Sequence, residues 1–384
     1  MPRKNKNLKK KKNEKTICLT MIVKNESKVI KRCFDSVKDY IDYWVICDTG
    51  STDGTQDLIR NYFKEAKIPG ELHEHKWKNF GHNRSLAVKN AKGKADYGIL
   101  MDADFVFVIK DPDFKKKLNT TGGHMIKYEG DLDFRQNLFI DLSINWHYEG
   151  VTHEYITADR KVNMSRIDYF TFDHKADGGS RSDKFERDVS LLKQGLIDEP
   201  KNSRYMFYLA QSYKNIHDYT NAIKYYKLRI KCGGWEEEVY YSMYEVGRCK
   251  RLRGDKFDDY RDDLFNAYKF RPTRLEALFD IVQYCLKNKL YDIGYQYGIN
   301  AINNEYPKND ILFIMKSIHT YFFWVALALC ACMSKRPKIA FDIYKKLAHP
   351  AGYSLFGEIL LILRIKDAKL PKCITGYLKP EFPD

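Results

Sequence analysis

The sequence predicts an α/β domain with a Rossmann-like, mostly parallel sheet, followed by an all-helical domain built from repeats. From residue 16 to about residue 170, short apolar runs of strand type alternate with stretches of helical spacing. From about residue 185 onward, apolar residues follow helical spacing almost without interruption. We therefore expect a basic tail over residues 1–15, the α/β domain over 16–190 and the helical domain over 191–384.

The elements predicted for the first domain follow one another in the order strand, helix, strand, helix. This order is typical of a parallel sheet with helices on both faces. The predicted strands are 17–23, 44–47 and 97–101, and the predicted helices are 29–37, 55–64 and 83–91. The strands are nearly continuous apolar runs, as expected for strands covered on both faces.

The helical domain contains an internal repeat of the length that tetratricopeptide units have, about 34–36 residues. Apolar and small residues of one segment recur two units later, with Phe207, Leu209, Tyr213, Tyr219, Ala222 and Tyr225 matched by Phe279, Ile281, Cys285, Tyr291, Gly294 and Tyr297. This pattern predicts a tetratricopeptide-like array in which the aromatic residues form the packing core.

The N-terminal tail accounts for about half of the formal net charge of +15. Residues 1–15 carry eight Lys or Arg residues against one Glu and almost no apolar residue, so a solvated tail is expected. Nuclear import or contact with an acidic surface are the other interpretations of such a tail. No nucleic-acid-binding module is recognisable in the chain, so we expect no specific nucleic-acid partner.

Neither a signal peptide nor a membrane span is expected. The apolar run 17–23 is short and is followed by Lys24 and Glu26, and the later run 321–333 falls short of the roughly 20 residues that a span needs. The second run predicts a buried helix. Nine cysteines without metal-binding spacing favour reduced thiols and a cytoplasmic location.

Polar residues follow the predicted strands, where open α/β sheets bind their ligands. The first strand runs into 24–26 (KNE), the second into 48–55 (DTGSTDGT) and the third into 102–104 (DAD). A carboxylate at Asp48 suits a base N–H or a ribose hydroxyl, although the same segment also reads as a capped turn without a ligand. Asp102 and Asp104 together favour one hard cation, Mg²⁺ or Mn²⁺.

Segments 21–26, 48–55 and 102–104, together with Asn83-Arg84, resemble the family 2 glycosyltransferases in order and approximate spacing over about residues 16–190. The resemblance implies a GT-A fold and inverting transfer of a sugar from a nucleoside diphosphate, with a UDP-sugar as the default donor. It also implies that Asp48 and Asp102 hold the nucleoside and that Asp104 holds the metal. Glu26 and Arg84 resemble further residues of the nucleotide pocket.

The segment 146–154 (WHYEGVTHE) carries the candidates for a general base, because inverting transfer needs a carboxylate beside the acceptor hydroxyl. Glu154 is the first candidate and Glu149 the second. A Glu paired with a basic residue on a loop is the structural alternative.

A late histidine completes the cation shell in several metal-dependent relatives, and His174 fits that role, with His153 as its rival. Arg181 and Lys184 lie beyond a Gly-Gly pair. There they are placed to fold over the diphosphate and neutralise the leaving group.

We therefore expect a metal-dependent glycosyltransferase that acts on a protein, peptide or glycan hydroxyl, with the helical groove recruiting the acceptor or another protein. An inactive scaffold is the main alternative, against which the intact Asp48, Asp102 and Asp104 argue. A nucleotidyltransferase with similar carboxylate and metal chemistry would release pyrophosphate instead of a nucleoside diphosphate.

Overall fold

The structure is a computed structural model that describes residues 14–119, 121–129, 135–178 and 184–347. The predicted tail up to residue 13 and the predicted diphosphate contact Arg181 lie outside the described residues. The chain divides into two compact units, residues 1–195 and 196–384.

The first unit is built around a seven-stranded sheet of order β10-β6-β7-β4-β1-β2-β3. The strands of the unit are β1 Ile17–Val23, β2 Tyr43–Asp48, β3 Gly70–Glu74, β4 Tyr97–Leu100, β5 Phe105–Ile109, β6 Gly123–Lys127, β7 Arg135–Asp141, β8 Trp146–Glu149, β9 Tyr155–Ala158, β10 Met164–Arg166 and β11 Phe170–His174. Strands β1 to β4 are mutually parallel, and β7 runs antiparallel to both β4 and β6. The expected mostly parallel sheet is therefore confirmed.

Helices cover both faces of this sheet, since alternate residues of the central strand β1 join two separate apolar clusters. Leu19 belongs to one cluster and Cys18 to the other, and both are fully buried. The helices of the first unit are α1 Ile30–Val37, α2 Thr55–Ala66, α3 Phe80–Ala91, α4 Phe114–Lys117 and α5 Lys184–Asp198, which continues into the second unit.

Of the strands described, only β1, β2 and β4 were predicted. The edge strand β3 was missed because residues 70–74 (GELHE) are partly buried or exposed and contain a single large apolar side chain, so they lack the apolar run that marks the central strands. The remaining strands form two small antiparallel pairs, β5 with β11 and β8 with β9, and both pairs carry residues of the candidate site.

The second unit contains helices and no strand in its described part. Its helices are α6 Ser203–Asn215, α7 Tyr219–Cys232, α8 Glu236–Arg253, α9 Phe257–Phe270, α10 Glu276–Lys287, α11 Tyr291–Gly298, α12 Phe323–Met333 and α13 Pro337–Leu347. The repeat found in the sequence corresponds to helix pairs. Ala222 and Gly294 occupy the position of the repeat that requires a small residue. Ala222 is fully buried, and a Cβ on Gly294 would meet the Sγ of Cys330 at 2.7 Å.

The apolar run 321–333 contributes the buried helix α12, as expected. Within the described residues, no helix is both long enough and apolar enough to cross a bilayer. Seven cysteines of the described part are free thiols, but Cys332 is disulfide-bonded, so the expectation that all nine stay reduced is wrong.

Candidate active site

Two loops that follow β1 and β2 are joined by side-chain hydrogen bonds, and together they form one wall of the candidate site. Asn25, whose φ of 56° lies in the left-handed region, donates its backbone N–H to Ser51 Oγ at 2.8 Å, and its Oδ1 accepts from the Thr52 backbone at 2.8 Å. Asp53 accepts from the Ser27 backbone and from the Thr55 hydroxyl. Burial opposes ionisation, but these hydrogen bonds lower the pKa of Asp53 to about 2.

Asp48 acts first as a turn residue. Its Oδ1 accepts hydrogen bonds from the backbone N–H groups of Gly50 at 2.8 Å and Ser51 at 2.9 Å, and from the Gln56 amide at 3.1 Å. Its Oδ2 is buried and has no hydrogen-bond partner among the described residues. The structure therefore supports the capped-turn interpretation for one oxygen and leaves the other for the nucleoside role that the sequence predicted.

A single arginine links the first aspartate of the 102–104 segment to the candidate base. Arg84 donates from a terminal guanidinium nitrogen to Asp102 Oδ1 at 2.7 Å and from Nε to Glu154 Oε1 at 2.7 Å. The exposed fractions are 19% for Arg84, 39% for Asp102 and 13% for Glu154. Burial opposes the charge on Arg84, but the two carboxylates outweigh it and raise the pKa of the guanidinium.

The position of Arg84 is fixed by its neighbours on α3. Asn79 caps the helix by accepting from the His82 backbone at 2.7 Å. Asn83 is buried and ties down the preceding loop, since its Oδ1 accepts from the Lys78 backbone and its Nδ2 donates to the Lys76 carbonyl. Asn83 of the recognised pair is therefore structural, and Arg84 alone reaches the site.

Helix α3 also holds the loop that carries Glu154. The Phe80 N–H donates to the Val151 carbonyl at 3.1 Å, and a Cβ on Gly81 would lie 2.1 Å from the carbonyl oxygen of Gly150. Only a glycine at position 81 allows this approach of two backbones. The contact places Glu154 against Arg84.

Asp104 and His174 are brought together by the pairing of β5 with β11. This pairing sets His174 opposite Phe105, the residue after Asp104. His174 Nε2 lies 3.3 Å from Asp104 Oδ2, and the Gly178 N–H also donates to that oxygen at 3.3 Å. The His174 ring packs edge-on against Phe105 with centroids 5.0 Å apart.

The rival candidates His153 and Glu149 make other contacts. His153 Nε2 lies 3.6 Å from Oδ2 of the buried Asp188, whose Oδ1 accepts from the Thr152 hydroxyl at 2.9 Å. Glu149 is half exposed and accepts from the phenol of Tyr155. His174, and not His153, thus lies beside Asp104.

These side chains line one cleft of about 400 Å³, which we call the donor cleft. Of the residues predicted for the site, it is lined by Glu26, Arg84, Asp102, Asp104, Glu154, His174 and Lys184. Asp48 lies beneath the adjoining Thr49 and does not line the cleft.

Several residues of the cleft were not predicted from the sequence. Trp77 and Phe80 form an aromatic wall with centroids 4.8 Å apart, and Arg187 lies over the Phe80 ring at 5.2 Å. Arg187 follows Lys184 by three residues on α5, so helical spacing could have identified it. Lys24 also lines the cleft and adds a fourth cationic side chain to Arg84, Lys184 and Arg187.

The donor atoms of Asp104 and His174 fit a divalent cation. An octahedral cation with ligands at about 2.0–2.1 Å places neighbouring ligand atoms about 3 Å apart, close to the 3.3 Å between Asp104 Oδ2 and His174 Nε2. No set of three or more His, Cys, Asp or Glu residues converges as a metal site in the described part of the chain. Asp102, predicted as a further ligand, instead pairs with Arg84. Such a cation would take its remaining ligands from a bound diphosphate and water.

Part of the chain matches known proteins in sequence. Residues 18–121, which include Asp48, Arg84, Asp102 and Asp104, match the family model described as Glycosyl transferase family 2. The prophage-derived glycosyltransferase SunS of Bacillus subtilis is 28% identical over 232 residues, covering 56% of this chain and 53% of SunS. The chain thus spans about half the length of this relative.

Two further likenesses were found. A TPR repeat-containing protein of Synechococcus elongatus is 33% identical over 94 residues, covering 24% of this chain and 22% of that protein. The structure of S. aureus TarS 1–349 in complex with UDP is 14% identical with a TM-score of 0.36, covering 66% of this chain and 91% of that one. The N-terminal α/β domain is thus similar to the family 2 glycosyltransferases, and the helical domain that follows is similar to TPR proteins.

Proposed function

We propose that this protein is a metal-dependent, inverting glycosyltransferase that transfers a sugar from a nucleoside-diphosphate sugar, with UDP as the nucleotide, to an acceptor hydroxyl. The observation that carries the proposal is the arrangement of the donor cleft. The Asp104–His174 pair and the carboxylate of Glu154 line the same cleft, and Arg84 links Glu154 to Asp102 within it. This arrangement provides separate groups for a diphosphate and for an acceptor.

The diphosphate end is assigned to Asp104 and His174, which would hold Mn²⁺ or Mg²⁺. When bound, the cation neutralises charge that develops on the leaving diphosphate. Lys184 and Arg187 line the same cleft from α5 and add positive charge toward that group. Glu26, on the loop after β1, lies close to Asp104, because a Cβ on Gly178 would be 3.4 Å from Glu26 Oε1 and 3.3 Å from Asp104 Oδ2.

Glu154 is assigned as the general base. Its Oε1 is held by Arg84, and Oε2 takes the proton from the acceptor hydroxyl. The acceptor oxygen then bonds to C1 of the sugar as the bond from C1 to the diphosphate oxygen breaks. The nucleoside diphosphate leaves with that electron pair, and the configuration at C1 inverts.

The proposal assigns transfer to residues 16–190 and acceptor or partner recruitment to the helical domain, residues 191–384. A cytoplasmic location remains part of the same prediction. An inactive scaffold with the same fold is the alternative. It would bind no donor in a metal-dependent way, so the two are separated by one experiment.

That experiment is a thermal-shift titration of the full chain with UDP and a panel of UDP-sugars, with and without Mn²⁺, together with UDP release. We expect Mn²⁺ to strengthen UDP binding and Asp104→Ala to remove both this gain and the UDP release. Asp173→Ala is the matched control, because Asp173 adjoins His174 but pairs with Lys175 away from the cleft. Metal-independent binding with no UDP release would favour the scaffold. Unchanged activity in Asp104→Ala would refute the metal assignment.

A further inference from the structure

A second cleft adjoins the donor cleft on the far side of the Arg84 bridge. Its volume is about 290 Å³, at the lower end of the range of about 300–1,000 Å³ typical of small-ligand pockets. The two clefts share Arg84, Asp102, His153 and Glu154. The proposed base therefore faces both, and a molecule in the second cleft lies within reach of its carboxylate.

The lining of this second cleft alternates aromatic rings with neutral polar groups. Phe105, Tyr148 and Tyr155 supply rings, while Gln136 and the tyrosine hydroxyls supply hydrogen-bonding groups. Burial raises the pKa of Tyr148, so its hydroxyl keeps its proton and can donate. Met101, which is buried, adds an apolar surface.

The second cleft carries an excess of negative charge, because one arginine faces two carboxylates. The guanidinium of Arg84 is bonded to Asp102 and Glu154. No other arginine or lysine stands among the described lining residues, so none is left to recognise an anionic acceptor. An acceptor bearing phosphate would meet two carboxylates without a compensating cation. A neutral acceptor avoids this cost.

We propose that the second cleft is the acceptor site and that it takes one neutral sugar ring of a glycan. A pyranose has apolar C–H faces that pack on aromatic rings and a rim of hydroxyls that pair with amide and phenol groups. A Ser, Thr or Tyr side chain would present a single hydroxyl and leave the other polar groups of the cleft unpaired. The inference rests on the proposed function and names its acceptor.

Tyr155 is the residue through which the cleft selects this ring. It begins β9 directly after Glu154, and its phenol donates to Glu149. Glu149, the second candidate base from the sequence, is thereby a positioning residue that fixes the ring of Tyr155 beside the base. It does not line either cleft.

The test measures UDP release from UDP-glucose, UDP-galactose and UDP-N-acetylglucosamine by the full chain with Mn²⁺. Methyl glycosides of neutral hexoses and a mixture of Ser-, Thr- and Cys-containing peptides are compared as acceptors, and mass spectrometry identifies the product. We expect at least one glycoside to accelerate UDP release and to be glycosylated, and the peptides to have no effect.

Two variants connect the acceptor to the cleft. Tyr155→Ala and Gln136→Leu should each raise the KM for the glycoside by about tenfold, the equivalent of one lost ring or hydrogen-bond contact. UDP affinity is measured for each variant in parallel, because neither residue lines the donor cleft. Tyr321→Ala is the control, because Tyr321 lies in the second unit and is similarly exposed, at 41% against 45% for Tyr155.

The inference is overturned if peptides are the only acceptors, if no glycoside accelerates UDP release, or if both cleft variants keep the wild-type KM. Failure of the proposed function gives a different result. In that case no donor releases UDP under any condition, and Mn²⁺ has no effect on UDP binding.

Discussion

Replacement of Glu154 by Gln tests the mechanism, because it removes a proton acceptor while keeping the shape of the side chain. In the structure Glu154 Oε1 accepts from Arg84 Nε at 2.7 Å, and the amide oxygen of Gln can accept the same bond. Arg84 also keeps its second bond, to Asp102. The loop after β8 should therefore stay in place.

The two expected energetic effects differ widely in size. Exchanging a hydrogen bond to a charged group for one to a neutral group costs about 1 kcal/mol of folding stability, and less for a pair that keeps partial contact with water. Loss of a general base lowers the rate by about 10²–10⁴, or roughly 3–5.5 kcal/mol in the activation free energy. The catalytic defect should therefore far exceed the change in stability.

The assay is the rate of UDP release from a UDP-sugar with Mn²⁺, in which water takes the place of the acceptor. UDP affinity is measured separately by calorimetry and should not change in Glu154→Gln. The control is Glu149→Gln, which alters a half-exposed carboxylate outside both clefts. We expect this control to stay within about twofold of the wild type, as for most surface substitutions.

Two results would refute the assignment of Glu154. Near-normal UDP release in Glu154→Gln, with release lost in Glu149→Gln, would transfer the role of base to Glu149. Loss of UDP binding in Glu154→Gln would show that this carboxylate supports the nucleotide instead of the chemistry. Neither result would change the similarity of residues 18–121 to the family 2 glycosyltransferases.

Two further predictions concern the scaffold. Gly81→Ala would place a Cβ 2.1 Å from the Gly150 carbonyl oxygen, so the two backbones must separate. We expect Tm to fall by about 2–12 °C and UDP release to fall with it, and an unchanged Tm would contradict the contact. In the second unit, burial raises the pKa of Glu276, but hydrogen bonds from His319 and Arg274 outweigh it and bring the pKa to about 2 from an ordinary 4.5. The ionised Glu276 therefore stabilises the folded state by a free energy of the order of 3 kcal/mol, which is present above pH 4.5 and is lost as pH falls toward 2. Urea unfolding should show this acid loss in the wild type and a weaker one in Glu276→Gln, and equal pH dependence in both proteins would refute it.

The residues recognised from the sequence turned out to have two kinds of role. Asn83 and Arg84 are neighbours on α3, yet Asn83 is buried and bonds to the loop that precedes the helix, while Arg84 reaches the cleft. One carboxylate oxygen of Asp48 likewise accepts hydrogen bonds within the turn after β2. Sequence pattern identifies such residues as a group, but their division into structural and chemical roles depends on where each side chain points.

The sequence by itself determined the strands β1, β2 and β4, the helices between them, the helical repeat, and the strand ends at which polar residues collect. These features are visible as local periodicity, because the apolar pattern of a strand or helix repeats within a few residues along the chain. The recurrence of Phe207 as Phe279 is visible in the same way. The edge strand β3 lacked such a pattern and was missed.

Only the tertiary structure decided which of these polar residues meet. The Arg84–Glu154 bond joins positions 70 residues apart, and the Asp104–His174 contact depends on the pairing of β5 with β11. His153 likewise lies beside Asp188 because α5 packs against the loop that carries His153. Sheet order and register set these distances, and they arise from contacts along the whole domain, so no local pattern contains them.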